Sequence, residues 1–307
     1  MSVIRSAAKQ IVRILPEPVA RGLLRTGIRT IPRAERTFLA AAHHVKYARP
    51  LVDKTSAGFA MELHLDDRID RRIYYTGHYE VPTEALFRRL LPGAKCFVDI
   101  GANNGFFSLL AATLMGDDGR VFAFEPFSAT YARLLRNIEV SGTSGVTPIK
   151  IALSNVAQRR EMVRTQGTLG LSAFASGENE AAADESVECD TFDNFWARQR
   201  GGQIDLVKMD IEGAELLVLE GMSRSLSERI FEHLFVEVHP NQIRSLGGDP
   251  RSVADILTAN GYHLFERRDG RLADVDIDAF FASDVGHRFI LATRDESLRG
   301  FAVPRGF

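Results

Sequence analysis

Between residues 96 and 294, short apolar runs alternate with helical stretches, and no other feature of the chain restricts its fold as much. The runs are CFVDIG (96–101), VFAFEP (121–126), IKIAL (149–153), IDLVKMD (204–210), LFVEVHP (234–240) and HRFILATR (287–294). Helical patterns occupy 83–91, 104–115, 128–141, 213–222 and 251–260; Pro92 and Gly93 stop the first of these. Strands this short and apolar, separated by helices, belong to a parallel sheet covered on both faces, with right-handed crossovers. The expected fold is α/β, a doubly wound, mostly parallel, Rossmann-like sheet with an N-terminal helical extension. Ligands of such sheets sit beyond the carboxyl ends of the strands, where strand order reverses. That points to Asp99–Gly105, Glu125–Pro126, Ala152–Leu153, Lys208–Glu212 and Glu237–His239. Residues 59–75 read as a short strand and a connection. Residues 160–190, rich in Gly, Ser, Ala and acids, interrupt the alternation and are too long for an ordinary connection. Their front, Gly167–Phe174, is a candidate lid, with an insertion of no fixed structure as the alternative.

The 307 residues are 45% hydrophobic and 25% charged, which excludes a disordered chain or a fibrous rod. The net charge of −2 gives no overall electrostatic case for nucleic acid. Two cysteines, Cys96 and Cys189, are too few for a disulfide framework or a thiolate zinc site and suit a reducing compartment. No apolar run is long enough to span a bilayer, and Lys9 and Arg13 interrupt the start where a secretion signal would be apolar. A cytoplasmic protein is expected. Its charge is uneven. Residues 1–36 carry eight basic and two acidic residues, whereas 176–193 carry seven acids and no Lys or Arg, as a solvated loop face would. The first thirty residues read as two short amphipathic helices broken at Pro16 and Pro18, with Arg21, Arg25, Arg29 and Arg33 spaced four apart. Such helices either dock on the main domain or lie on an anionic membrane at the inner face. The expected division is a basic extension, 1–58, and a main domain, 59–307.

FVDIGANNGFF is a strand–turn–helix whose Gly101 and Gly105 let backbone approach a ligand. Nicotinamide dinucleotides and S-adenosylmethionine both use this corner. The dinucleotide pattern G-x-G-x-x-G fails, because Asn103 stands at its second glycine. Asp99, at the strand end, would repel a pyrophosphate and suits a cofactor carrying an ammonium and a sulfonium. Glu125, ending the next strand, suits the two hydroxyls of a ribose. The expected cofactor is S-adenosylmethionine, held by Asp99, Gly101, Ala102, Asn103, Asn104, Gly105, Phe106, Glu125, Pro126, Ala152, Leu153 and Asp210. A nicotinamide oxidoreductase and a non-catalytic module on the same fold are the alternatives.

These segments, with IALSN, DLVKMDIEGAELLVLEG and FVEVHP, resemble the FkbM family of S-adenosylmethionine-dependent methyltransferases over about residues 75–265. The most specific piece is the run Lys208, Asp210, Glu212, Gly213 and Glu215. Upstream, RIYYTGHYE (72–80) resembles the family's approach to the first strand, which adds Glu80 to the cofactor residues. Thr191-Phe192-Asp193 departs from the family's Thr-Leu-Asp by a conservative exchange. The resemblance implies a class I methyltransferase fold and O-methylation of a sugar, glycolipid or other polyhydroxylated acceptor.

Methyl transfer needs an aligned nucleophile that loses its proton. Lys208, Asp210, Glu212 and His239 are the candidate catalytic residues. Lys208 and Asp210 point to one side of a strand, Glu212 and Glu215 share the start of a helix, and His239 is a natural proton acceptor with a pKa near 6.5. A structural ion pair with a helix-start acid, and a rim histidine, are the plain alternatives. A magnesium-like ion on Asp210, Glu237 or His239, and Asn241 is a further arrangement, but the spacing is not diagnostic and no metal is assigned. The acceptor's identity and the oligomeric state are not legible.

Overall fold

The computed structural model describes residues 15–30, 35–42, 44–45, 47, 49–164, 172–174, 184–199, 201–282 and 288–304. Strands β1 (Leu51–Lys54) and β2 (Ala60–Leu63) form an antiparallel hairpin. The main sheet takes β3 (Cys96–Ile100), β4 (Arg120–Phe124) and β5 (Val146–Ile149) from the first half of the chain. A second sheet is built from β6 (Ala152–Leu153), β7 (Gln158–Arg164), β8 (Ser172–Phe174) and β9 (Glu185–Asp190). The main sheet is completed by β10 (Ile204–Met209), β11 (Phe231–Val238), β12 (His263–Arg268), β13 (Arg271–Asp274) and β14 (Arg288–Thr293). Its order is β13-β12-β14-β11-β10-β3-β4-β5. Strands β11, β10, β3, β4 and β5 are parallel, and β14, β12 and β13 are added antiparallel. The chain runs outward from β3 to β5 and returns at β10, so strand order reverses between β3 and β10.

Side-chain alternation along these strands separates two cores. Phe97, Leu206 and Phe235 face the helices Arg68–Thr76, Val81–Leu90 and Phe106–Met115. Val98, Val207 and Val236 face the opposite core, with the helices Phe192–Gln199 and Arg251–Ala259. Two residues beyond each member of the first set lie Asp99, Lys208 and Glu237, so the same alternation carries three charged side chains onto one face at the strand ends.

Four expectations change. Residues 59–75 hold a helix, Arg68–Thr76, after the β2 strand; Asp67 caps it by accepting from the Ile69 and Asp70 N–H groups, and Gly77 closes it in the left-handed region. The run 149–153 is not one strand: Val146–Ile149 pairs with β4, and Ala152–Leu153 pairs with β9 in the second sheet. The segment 160–190 contains β8, β9 and most of β7; of the candidate lid, Ser172–Phe174 are β8 and 167–171 lie outside the described residues. The hairpin β12–β13 adds strands that the apolar runs did not mark.

At the amino end, the first amphipathic stripe (4–14, bar Leu15), Ile31 and Arg33 lie outside the described residues, as do residues 176–183 of the acidic stretch 176–193; the rest of that stretch is not loop but mostly β9 and the start of the helix Phe192–Gln199. The helix Glu17–Thr30 buries Ala20 and Leu24 in the first core. Arg25 lies 4.5 Å above the Tyr74 ring and pairs with Asp53 at 2.5 Å, and Arg21 pairs with Glu17 at 3.1 Å. The β1–β2 hairpin straddles the boundary drawn at residue 58. No helix among the described residues is long and apolar enough to cross a membrane.

Candidate active site

At the reversal of strand order lies an open cavity, whose empty space together with its solvent mouth is about 640 Å³. Gly101, Asn103, Glu125, Pro126, Ala152 and Leu153 line it, with Asp210 and Glu212 on its β10 side and Met162 and Phe174 contributed by the second sheet. The glycine at 101 is needed on two counts. Its φ is +84°, and a Cβ there would stand 2.0 Å from the Asp210 carbonyl oxygen. The loop after β3 therefore touches the loop after β10.

Glu125 is 5% exposed. One carboxylate oxygen accepts from the Asn103 N–H at 3.0 Å, the other from the Phe127 N–H at 3.0 Å. Burial pushes its pKa up to about 7 against the pull of these two N–H groups. Each oxygen keeps a lone pair for a further donor.

Ala102, Asn104, Gly105 and Phe106 are not among the residues that line the cavity. Asn104 turns into the protein: its amide donates to Asp70 at 2.6 Å, and its backbone oxygen accepts from Asn137 at 2.8 Å. Phe106 is 2% exposed and packs edge-on against Phe59 and Tyr79. Asn104 thus anchors the loop to the helices Arg68–Thr76 and Ser128–Ser141, and Phe106 anchors it to the segments around Phe59 and Tyr79.

Asp99 is 1% exposed and also stands behind the lining. It accepts from the Ser108 hydroxyl at 2.6 Å, and its second oxygen has no hydrogen-bond partner among the described residues. Burial raises its pKa, and the Lys208 ammonium opposes that rise. Lys208 is 2% exposed, adjacent to Asp99 in the β10–β3 register, 3.2 Å from Asp210 and 5.1 Å from the Phe107 ring centre. Burial alone would lower its pKa, but Asp210, Asp99, Glu80 and Glu237 together hold it above the ordinary lysine range.

Glu80 occupies the left-handed region at φ 47° and accepts from the Thr83 hydroxyl at 3.1 Å. Burial and the neighbouring Glu237 push its pKa up to about 7, against Lys208. Tyr79 was not singled out from the sequence. Its hydroxyl bonds Glu80, and burial and the same carboxylates raise its pKa. Glu80, Asn103 and Glu212 all have positive φ without being glycine. Such strain persists where surrounding contacts enforce it, often at working sites.

Beside this group, His239 is 3% exposed. Its Nδ1 lies 2.6 Å from Glu215, while Nε2 faces Glu212 at 3.7 Å and Asp210 at 4.0 Å. Burial would lower its pKa, but the Glu215 hydrogen bond and charge, with Asp210 and Glu212, raise it to about 9. The expected proton acceptor with a pKa near 6.5 is thus an imidazolium at neutral pH. The cause is Glu215, fully buried at the start of the helix Glu215–Glu220, which sequence reading placed beside Glu212 and not beneath the histidine. Asn241 is exposed, and its amide oxygen accepts from Arg244 at 3.0 Å.

A family profile for the methyltransferase FkbM domain matches residues 99–264. The chain is 29% identical over 176 residues to the hexuronic acid methyltransferase AglP of Haloferax volcanii; the match covers 52% of this chain and 60% of AglP. It is 27% identical over 183 residues to the methyltransferase sdnD of Sordaria araneosa, covering 50% of this chain and 70% of that protein. Among solved structures it is similar to the methyltransferase FkbM from Methylobacillus flagellatus KT, at 14% identity and a TM-score of 0.41, covering 90% of this chain and 60% of that one.

Proposed function

Since the chain belongs to the FkbM methyltransferase family, with S-adenosylmethionine as its cofactor, we propose that it methylates a hydroxyl of a sugar, glycolipid or other polyhydroxylated acceptor. One observation carries this reading. A single cavity has the buried Glu125 carboxylate at one side and the Asp210–Glu212 carboxylates at the other, joined by backbone that only glycine at 101 allows.

The lining fits the group. Glu125 offers free lone pairs to ribose hydroxyls. Ile151, Leu153, Met162 and Phe174 supply an apolar surface for a purine. The Asn103 N–H, which a pyrophosphate would need, is already given to Glu125, and this weighs against a dinucleotide. The surplus of carboxylate at the site suits a cationic ligand.

When bound, the cofactor supplies a methyl group on a sulfonium, an electrophile needing no further activation. The chain's part is to align the acceptor and manage its proton. Asp210 and Glu212 line the cavity and accept hydrogen bonds from the incoming hydroxyl, drawing electron density onto its oxygen. Lys208 and His239 fix these two carboxylates from behind, as positioning residues. The name of AglP supports a sugar acid among the acceptors to be tried.

The test is incubation with isotopically methyl-labelled cofactor and a panel of hexoses, hexuronates and their lipid-linked forms. Label in an acid-stable methyl ether supports the reading. Label on a nitrogen, a carboxyl ester or nucleic acid overturns it.

A further inference from the structure

We propose that Asp210, Glu212 and His239 form a binding site for one divalent cation of the Mn²⁺ and Mg²⁺ class. One oxygen from each carboxylate and one imidazole nitrogen lie within 4.8 Å of one another. An ion bonded at about 2.1 Å needs ligand atoms roughly 3.0 Å apart when adjacent and about 4.2 Å when opposite. The 3.7 Å and 4.0 Å separations from His239 Nε2 lie between these limits.

The histidine is already oriented for ligation, in which the ion takes the place of the Nε2 proton and that proton leaves to solvent. Its Nδ1 is held at 2.6 Å by Glu215, whose carboxylate is 0% exposed, so the ring presents Nε2 to the two acids. A buried carboxylate behind an imidazole is the usual support of a ligating histidine. The other Glu215 oxygen is buried and has no hydrogen-bond partner among the described residues, which leaves negative charge beneath the ring. Asp210 and Glu212 both line the cavity, so the ion's remaining positions open onto the acceptor side.

A second trio, Glu80, Asp210 and Glu237, has similar spacing. That trio already surrounds the Lys208 ammonium, which supplies its positive charge. The His239 trio shares Lys208 only through Asp210. Two carboxylates with one imidazole suit Mn²⁺ or Mg²⁺ better than a thiolate-seeking ion, and the imidazole favours Mn²⁺. The acceptor reading gives the site its use, since a hydroxyl bound to such an ion is more acidic; the site itself rests on the ligand geometry.

The experiment titrates Mn²⁺ into the full chain after chelator treatment, following loss of the free-ion electron paramagnetic resonance signal. S-adenosylhomocysteine binding is measured by calorimetry on the same sample. One Mn²⁺ per chain is expected, weakened at least about tenfold in Glu212→Gln and again in Glu215→Gln, where the histidine loses its support. Glu237→Gln is expected to keep the affinity within about threefold, a change below ~0.7 kcal/mol. Glu212 is partly exposed, so its variant tests the site even if Glu215→Gln does not fold. Cofactor binding without Mn²⁺ binding overturns the ion site and leaves the methyltransferase reading intact. Mn²⁺ binding without cofactor binding supports the site and counts against that reading. Loss of Mn²⁺ in Glu237→Gln but not in Glu212→Gln also overturns this assignment.

Discussion

Lys208 and Asp99 face each other across the β10–β3 pairing, and neither lines the cavity. The acid that a strand-end reading aims at the cofactor instead serves a buried lysine, and the lysine in turn steadies Asp210, which does reach the cavity. Lys208→Met leaves four neighbouring carboxylates without that cation. The loss should be roughly 3–5 kcal/mol of folding stability. Asp99→Asn removes one of four partners and should cost clearly less. Urea unfolding at slightly alkaline pH gives the ranking, and equal losses would refute it.

Gly101→Ala should disrupt the join between the loops after β3 and β10. The added Cβ meets the Asp210 carbonyl oxygen at 2.0 Å on a backbone with φ +84°. At least about 2 kcal/mol of stability and most cofactor affinity should go together. Thermal unfolding and calorimetry check this, and a stable variant with unchanged affinity would show that the loops need not touch.

Glu125 should make cofactor binding depend on pH. Its carboxyl rises from 4.5 to about 7, so its contribution to folding is fully present below 4.5 and is lost as pH rises through 7. Ribose donors prefer the ionised form, so binding runs the other way. Affinity for S-adenosylhomocysteine should increase from about pH 6 to about pH 8, with proton release on binding near neutrality. Glu125→Gln should flatten that profile and lower affinity by about tenfold at the alkaline end, near 1.4 kcal/mol. Calorimetry in buffers of different ionisation enthalpy measures the released proton.

His239 and Glu215 should behave as one unit. His239→Gln strands a carboxylate that is 0% exposed and 2.6 Å from its lost partner. It should destabilise by about 3 kcal/mol or more. The double variant with Glu215→Gln should recover a good part of this. A double-mutant cycle from chemical unfolding gives the coupling, and strict additivity would contradict it.

The sheet and the strand-end positions of the candidate site were legible because strand-end position and side-chain alternation are local patterns. Glu125 and Asp210 reach the cavity from their strand ends, and Lys208 does pair with Asp210, whereas Asp99 sits at its strand end but behind the lining. What was not legible depends on long-range pairing. Ala152 and Leu153 look continuous with 149–151 until Cys189 and Asp190 claim them. The second sheet is hidden by a composition that reads as loop. The helix Arg68–Thr76 had a local signal, its Asp67 cap and Gly77 stop, but its polar sequence hid the apolar stripe of Ile69, Ile73 and Tyr74. The inward turn of Asn104 and the raised pKa of His239 come from Asp70 and Glu215, partners that spacing alone does not reveal.

The most direct test of the cofactor cavity is a crystal structure of the chain with S-adenosylhomocysteine. The ribose hydroxyls should lie within hydrogen-bond reach of Glu125, with the sulfur facing Asp210 and Glu212. A nucleoside bound elsewhere, with the Glu125 carboxylate still engaged only by the Asn103 and Phe127 N–H groups, would contradict the account.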